Sequence, residues 1–215
     1  MTTGFASVIL DVDSTLCGIE GIDWLAERRG AAMGAQVAGL TTRAMRGEIA
    51  LDAVYGERLA LVRPGRNEIA ALAQAYAGSL APGAAQAIQS LRAAQRRVVL
   101  VSGGIREAIL PVARLLALAE QHVHAVSVRF DSSGAYAGFD TGSPLATATG
   151  KRAVAASLAL PSRVLAMGDG ATDLAMRPAV DAFAAFTGFV SRESIVAEAD
   201  YVLASFDQLV ELVLA

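Results

Sequence analysis

Short apolar runs recur along the chain and alternate with stretches of helical period. Residues 5–10, 97–101, 123–130, 163–167, 182–186 and 201–203 read as strands. They are built from Val, Leu, Ile and Ala with little polar alternation, as in a parallel sheet covered on both faces. Between and after them, residues 82–95, 105–118, 151–158, 191–197 and 206–214 carry apolar positions at helical spacing and are predicted as covering helices. A β-α-β-α order of this kind predicts a doubly wound α/β fold with a Rossmann-like parallel sheet.

Two stretches depart from that rhythm. From Ile19 to about Gly78 there is no convincing strand, only helical segments such as 20–29 and 51–62, punctuated by Gly30, Gly47 and Pro64. So long a helical stretch between the first two strands exceeds an ordinary crossover. It predicts an inserted helical cap, residues 17–78, over a core made of residues 1–16 and 79–215. The second is VSVRFDSSGAYAGF, residues 126–139, where Ser133-Gly134 separates two β-rich runs and predicts a small hairpin.

Composition narrows the function. With 54% hydrophobic and 18% charged residues in 215, the chain holds enough apolar material for one sizeable core. A net charge of −3 gives no basic footprint for nucleic acid. An anionic substrate would therefore need positive charge concentrated at its site, from a metal ion or a few placed Lys or Arg. Cys17 is the single cysteine. No intrachain disulfide is possible, and a reducing, cytoplasmic setting is expected. Residues 1–4 run straight into the first strand, without a signal-like segment, and no membrane span is expected. A monomer or homodimer acting on a small molecule fits this profile.

In an open α/β sheet, ligands bind at the carboxyl ends of the strands. Three predicted strand ends carry candidate chemistry: Asp11-Val12-Asp13-Ser14-Thr15, Ser102-Gly103-Gly104, and Gly168-Asp169-Gly170 with Asp173 beyond. Each alone reads as a turn or helix cap. Together they bring four carboxylates and a glycine-rich hydroxyl loop to one sheet edge, where repulsion would be severe without a cation. Hard oxygen ligands of this kind suit Mg²⁺. The glycines let backbone N–H groups approach an anion. Carboxylates, Mg²⁺ and an anion cradle point to phosphoryl transfer. The two histidines, His122 and His124, have no third ligand nearby, and residues 142–151 have the wrong spacing for a Walker loop.

The ordered set Asp11-x-Asp13-x-Thr15, Ser102, Lys151 and Gly168-Asp169-Gly170-Ala171-Thr172-Asp173 resembles the four motifs of the haloacid dehalogenase superfamily. The stretches DVDSTLCGIEGIDWLAERRG, TTRAM, ERLALVRPGR, VSGG, GAYAGFD and MGDGATD resemble its phosphoserine phosphatase branch. That resemblance implies Asp11 as nucleophile and Asp13 as general acid and base. It implies Mg²⁺ held by Asp11, the Asp13 carbonyl and Asp169, with Asp173 behind them. Ser102 and the Gly103 amide would bind phosphoryl oxygens, and Lys151 would add fixed positive charge. Glu20 and Arg58 match the family positions for the ammonium and carboxylate of O-phosphoserine, with Met45 and Leu51 as apolar lining. Arg192 resembles a family arginine near the site. Thr149 stands where the family often has glycine, and Cys17-Gly18 vary at the hinge. Two other readings remain at this point: transfer of the phosphoryl group to another alcohol such as homoserine, and a receiver-like module phosphorylated on Asp11. Asp13 speaks against the second, since a receiver has no general acid two residues after its acceptor.

Overall fold

The computed structural model describes residues 4–45, 49 and 51–215. In chain order the elements are β1 (Ser7–Leu10), α1 (Gly21–Glu27), α2 (Ala31–Met45), α3 (Leu51–Val62), α4 (Arg66–Gly78), α5 (Ala84–Ala93), β2 (Arg97–Ile105), α6 (Arg106–Leu115), β3 (Val123–Val126), β4 (Val128–Phe130), β5 (Tyr136–Phe139), α7 (Gly150–Ser157), β6 (Val164–Gly168), α8 (Ala171–Leu174), β7 (Ala182–Phe186), α9 (Glu193–Val196), β8 (Tyr201–Leu203) and α10 (Phe206–Leu214). The main sheet is parallel throughout, with order β3-β2-β1-β6-β7-β8.

β1 lies between β2 and β6, and all four of its residues are buried. Strand order reverses at this point, with β2 and β3 to one side and β6 to β8 to the other. That switch opens a crevice at the carboxyl ends of β1 and β6. α5 and α10 pack together and α4 lies on α6, so the apolar strand runs are covered as their composition requires. A buried Val, Leu or Ile side chain contributes about 1.5–3 kcal/mol relative to its exposed state. The sheet is therefore a rigid base for whatever its edge carries.

The run 123–130, expected as one strand, is two. β3 ends the main sheet at Val126, and β4 pairs antiparallel with β5 in a separate hairpin. Ser127 breaks the ladder, its carbonyl accepting from the Asp140 amide at 2.8 Å. The turn is tied by Asp131, whose Oδ1 accepts from the Ser133 and Ala135 amides at 2.9 and 3.0 Å, and Gly134 takes a φ of 86°. β2 runs on past residue 101, but its pairing with β3 is irregular between Val101 and Ile105. Ser102 to Gly104 thus leave the regular ladder at the sheet edge.

Between Ile19 and Gly78 the described residues form helices α1 to α4 and no strand, as expected, and α5 follows before β2. The exit and return of this segment run side by side: the Gly18 amide donates to Ser79 at 2.8 Å, and the Ala81 amide to Leu16 at 2.9 Å. Cys17 and Leu80 form an antiparallel bridge between them. Among the described residues no helix is long and apolar enough to cross a membrane.

Candidate active site

The loop after β1 folds back at once. Ser14 adopts a φ of 52°, a left-handed conformation costing about 1–2 kcal/mol for a non-glycine residue. The Cys17 amide then closes onto the Val12 carbonyl at 2.8 Å. This turn places Asp11 and Asp13 in different surroundings.

Asp11 faces the strand switch. Lys151 Nζ lies 2.6 Å from Asp11 Oδ1 and 2.7 Å from Asp173 Oδ1. Carboxylate oxygens of Asp11, Asp169 and Asp173 all lie within 4.8 Å of one another. Burial first, then repulsion from Asp173, pushes Asp11 well above the usual carboxylate range, and the pull of Lys151 does not cancel them. Burial and Asp173 likewise raise Asp169, to about 6. Lys151 goes the other way from an isolated buried amine. Burial alone would discharge it, but Asp11 and Asp173 more than offset that and hold it charged. Asp11, Lys151, Asp169 and Asp173 are the fully buried charged residues among those described. The core's buried charge is thus concentrated in this one cluster.

Asp13 lines the same cleft as that cluster but has its own partners. Its Oδ1 accepts from the Tyr76 hydroxyl and from the Gly21 amide, each at 2.7 Å. Ser102 Oγ lies 3.4 Å from Oδ2. Burial, and secondarily Glu20, raise its pKa to about 6. A carboxyl at that value exchanges its proton readily near neutral pH. Ser102 Oγ also receives the Gly104 amide at 2.9 Å and is itself buried, while Gly103 and Gly104 form the adjacent wall.

Two glycines let these parts come together. A Cβ on Gly168 would lie 2.2 Å from Asp173 Cγ, and one on Gly150 would lie 1.7 Å from the Pro144 carbonyl oxygen. The first lets α8 bring Asp173 under the end of β6; the second seats the start of α7, hence Lys151. Thr149 takes an ordinary φ of −103°. The steric demand for glycine falls on residue 150, and threonine at 149 is accommodated.

A cleft of about 250 Å³ joins these groups to Glu20 and Arg58. Glu20 accepts from Ser14 Oγ at 2.8 Å. Arg58 holds Asp23 at 2.7 Å, its side chain 16% exposed. The sequence-derived residues Asp11, Asp13, Glu20, Arg58, Gly103, Lys151, Asp169 and Asp173 therefore share one cavity wall, and Ser102 sits immediately behind it. The side chains of Met45 and Leu51 lie outside the described residues. Cys17 is buried, and burial raises its thiol far above neutral pH, which keeps it protonated.

Two residues, Tyr76 and Asp23, and the partner of Arg192 escaped the sequence reading. Tyr76 has buried Ile69, Leu72 and Ala73 as its neighbours on α4, so its spacing reads as core, and nothing local signals a bond to Asp13. Arg192 places Nε and one terminal nitrogen on Asp169 Oδ2, at 3.1 and 2.8 Å. Asp23 is the partner of Arg58.

The donor set fits a hard cation. Three buried carboxylates converge within 4.8 Å, and Lys151 and Arg192 are the cations paired with them. A cation between carboxylates of this kind reverses the cost of their repulsion.

The profile of haloacid dehalogenase-like hydrolases matches residues 5–181. The chain is 35% identical over 209 residues to the chloroplastic phosphoserine phosphatase of Arabidopsis thaliana, spanning 95% of this chain and 70% of that one. It is 35% identical over 206 residues to phosphoserine phosphatase of Homo sapiens, spanning 94% and 91%. Among solved structures, a phosphoserine phosphohydrolase-like protein from Francisella tularensis superposes with a TM-score of 0.82 at 25% identity, over 96% of this chain and 99% of that one. With the acidic cluster, Lys151 and Asp13 gathered at the switch of a parallel sheet, the chain belongs to the haloacid dehalogenase-like hydrolases.

Proposed function

We propose that the chain is a Mg²⁺-dependent phosphatase that hydrolyses O-phosphoserine to serine and phosphate. The observation that carries this reading is the division of labour between Asp11 and Asp13. One carboxylate faces a lysine and two other acids; the other is tethered by Tyr76 and Gly21 with its pKa lifted to about 6.

Asp11 attacks phosphorus, and the bond from phosphorus to the serine oxygen breaks as Asp13 gives that oxygen its proton. Asp13, now ionised, takes a proton from water as the water oxygen attacks phosphorus. The bond to Asp11 breaks, phosphate leaves, and Asp13 is reprotonated for the next cycle. Lys151 holds positive charge beside Asp11 throughout, and the Gly103 amide with Ser102 donates to phosphoryl oxygens. Asp11, Asp169 and the Asp13 carbonyl would hold the Mg²⁺, with Asp173 behind them, its oxygens on Lys151 and the Gly170 amide. When bound, it neutralises charge on the phosphoryl oxygens and on these carboxylates.

Glu20 takes the substrate ammonium and Arg58 its carboxylate, the latter through a planar fork suited to two oxygens. Residues 17–78 act as a cap on a core of 1–16 and 79–215. The paired exit and return strands at Leu16–Gly18 and Ser79–Ala81 support that division. A single buried cysteine suits a reducing, cytoplasmic setting.

Steady-state hydrolysis of a phosphomonoester panel, with and without homoserine as acceptor, tests the reading. We expect kcat/KM for O-phosphoserine to exceed that for aryl phosphates, with phosphate released to water in both conditions. Equal values across the panel, or dominant transfer to homoserine, would refute it. Arg58→Ala and Glu20→Gln are each expected to cost 10- to 100-fold in kcat/KM, on the order of one charged hydrogen bond each, chiefly through KM. Arg58→Lys should recover only part of this, because an ammonium cannot reproduce the fork.

Metal binding is expected to register in stability as well. Mg²⁺ at about 100 times its Kd should stabilise the fold by about 2.7 kcal/mol, or roughly 5–10 °C in a chain of this size, and EDTA should abolish the gain. A melting temperature indifferent to Mg²⁺ and EDTA would argue against the site.

A further inference from the structure

The helix that supplies Arg58 carries another polar group one turn earlier, and the chemistry above leaves it unused. Tyr55 is 9% exposed and lines the same cleft as Asp13, Glu20 and Arg58. Its hydroxyl is shut off from solvent and has no hydrogen-bond partner among the described residues. Positions three apart on a helix share a face, and Arg58 repeats the feature. One terminal nitrogen holds Asp23, while its buried Nε has no partner. Two buried donors without partners among the described residues therefore lie on one face of α3.

Packing accounts for the ring of Tyr55 and not for its oxygen. The ring meets Phe139 edge-on, with centroids 5.3 Å apart, and phenylalanine would keep that contact. An unsatisfied buried hydroxyl costs about 1–3 kcal/mol, which phenylalanine would avoid. Burial first, then the charge of Asp13, raises the phenol far above neutral pH, so it is a protonated donor. Of the two groups at the amino-acid end of O-phosphoserine, the carboxylate can accept from both a phenol and a guanidinium, whereas the ammonium has no lone pair to offer either. The phosphoryl group belongs at the Asp11–Lys151 end of the cleft, which leaves the other end of the substrate.

We propose that substrate entry shifts α3 enough to uncover the Tyr55 hydroxyl and Arg58 Nε, which then together donate to the carboxylate of the substrate, making Tyr55 a specificity-determining residue for phosphomonoesters of amino acids. This inference rests on the phosphoserine reading, and the test separates the two. With the Mg²⁺-loaded enzyme, kcat/KM is measured for O-phosphoserine and for phosphoethanolamine, which keeps the phosphate and ammonium but lacks the carboxylate. The ratio of the two values is compared between wild type and Tyr55→Phe. We expect the wild type to favour O-phosphoserine strongly, and the ratio to fall about tenfold in the variant, through a higher KM for O-phosphoserine. Ligand-free Tyr55→Phe should melt at or above the wild-type temperature, since it loses an unpaired polar atom. A ratio that is high in wild type and unchanged in the variant overturns the role of Tyr55 alone. A variant that melts several degrees lower shows the hydroxyl engaged within the fold, and also overturns it. A wild type that does not distinguish the two substrates refutes the phosphoserine reading, and this inference falls with it.

Discussion

Replacing Asp11 by asparagine is expected to lower kcat by 10⁴-fold or more while O-phosphoserine still binds. Removal of a nucleophile costs on the order of 10⁴ to 10⁶ where the residue acts as part of a unit. Asparagine keeps the shape of the side chain and one oxygen, but its carboxamide is too weak a nucleophile to attack phosphorus. The groups around it should stay in place, because Lys151 retains Asp173 at 2.7 Å and Asp173 stays seated over Gly168. Turnover assays and calorimetric titration of the variant with O-phosphoserine check both halves of the expectation. Activity within a hundredfold of wild type would remove Asp11 from the nucleophile's role.

For Asp13→Asn the expected fall in kcat on O-phosphoserine is about 10² to 10⁴, the usual contribution of a positioned acid or base. The form of the loss is more telling than its size. An alkoxide leaving group needs the proton that Asp13 supplies, whereas nitrophenolate, a far weaker base, does not. With p-nitrophenyl phosphate the variant should release about one equivalent of nitrophenol quickly and then turn over slowly, because water still lacks its base in the second step. Rapid-mix kinetics would show this burst. Near-normal turnover on O-phosphoserine would sink the acid–base role. The Tyr76 and Gly21 contacts to Asp13 make asparagine a demanding control. Its oxygen accepts both bonds, so a loss cannot be put down to a collapsed loop.

The α/β class, the inserted helices, the hairpin and the motif residues were legible because each is written locally. A strand buried on both faces shows as an unbroken apolar run, and a motif at its end needs only chain continuity to reach the sheet edge. The strand break at Ser127 was not legible, since Val123 to Phe130 is apolar on both sides of it and only the partner strands decide where one ladder stops. Tyr76 illustrates the same limit within the site. It lies 63 positions from Asp13 on a helix whose apolar spacing marks it as core, and the hydroxyl's partner depends on how α4 sits over the end of β1.

By itself, then, the sequence determined which side chains are present: two carboxylates at Asp11 and Asp13, a glycine-rich hydroxyl loop at Ser102–Gly104, and a lysine and two further acids supplied from later strands and helices. The tertiary structure alone decided how that charge is tolerated and aimed. It sets Lys151 between Asp11 and Asp173, turns Asp13 toward Tyr76, closes Arg192 onto Asp169 and buries the Tyr55 hydroxyl without a partner among the described residues. The reason is physical: charge type and turn propensity are properties of single residues. Burial, pairing and pKa are properties of distances between residues far apart in the chain, and those distances exist only once the sheet has formed.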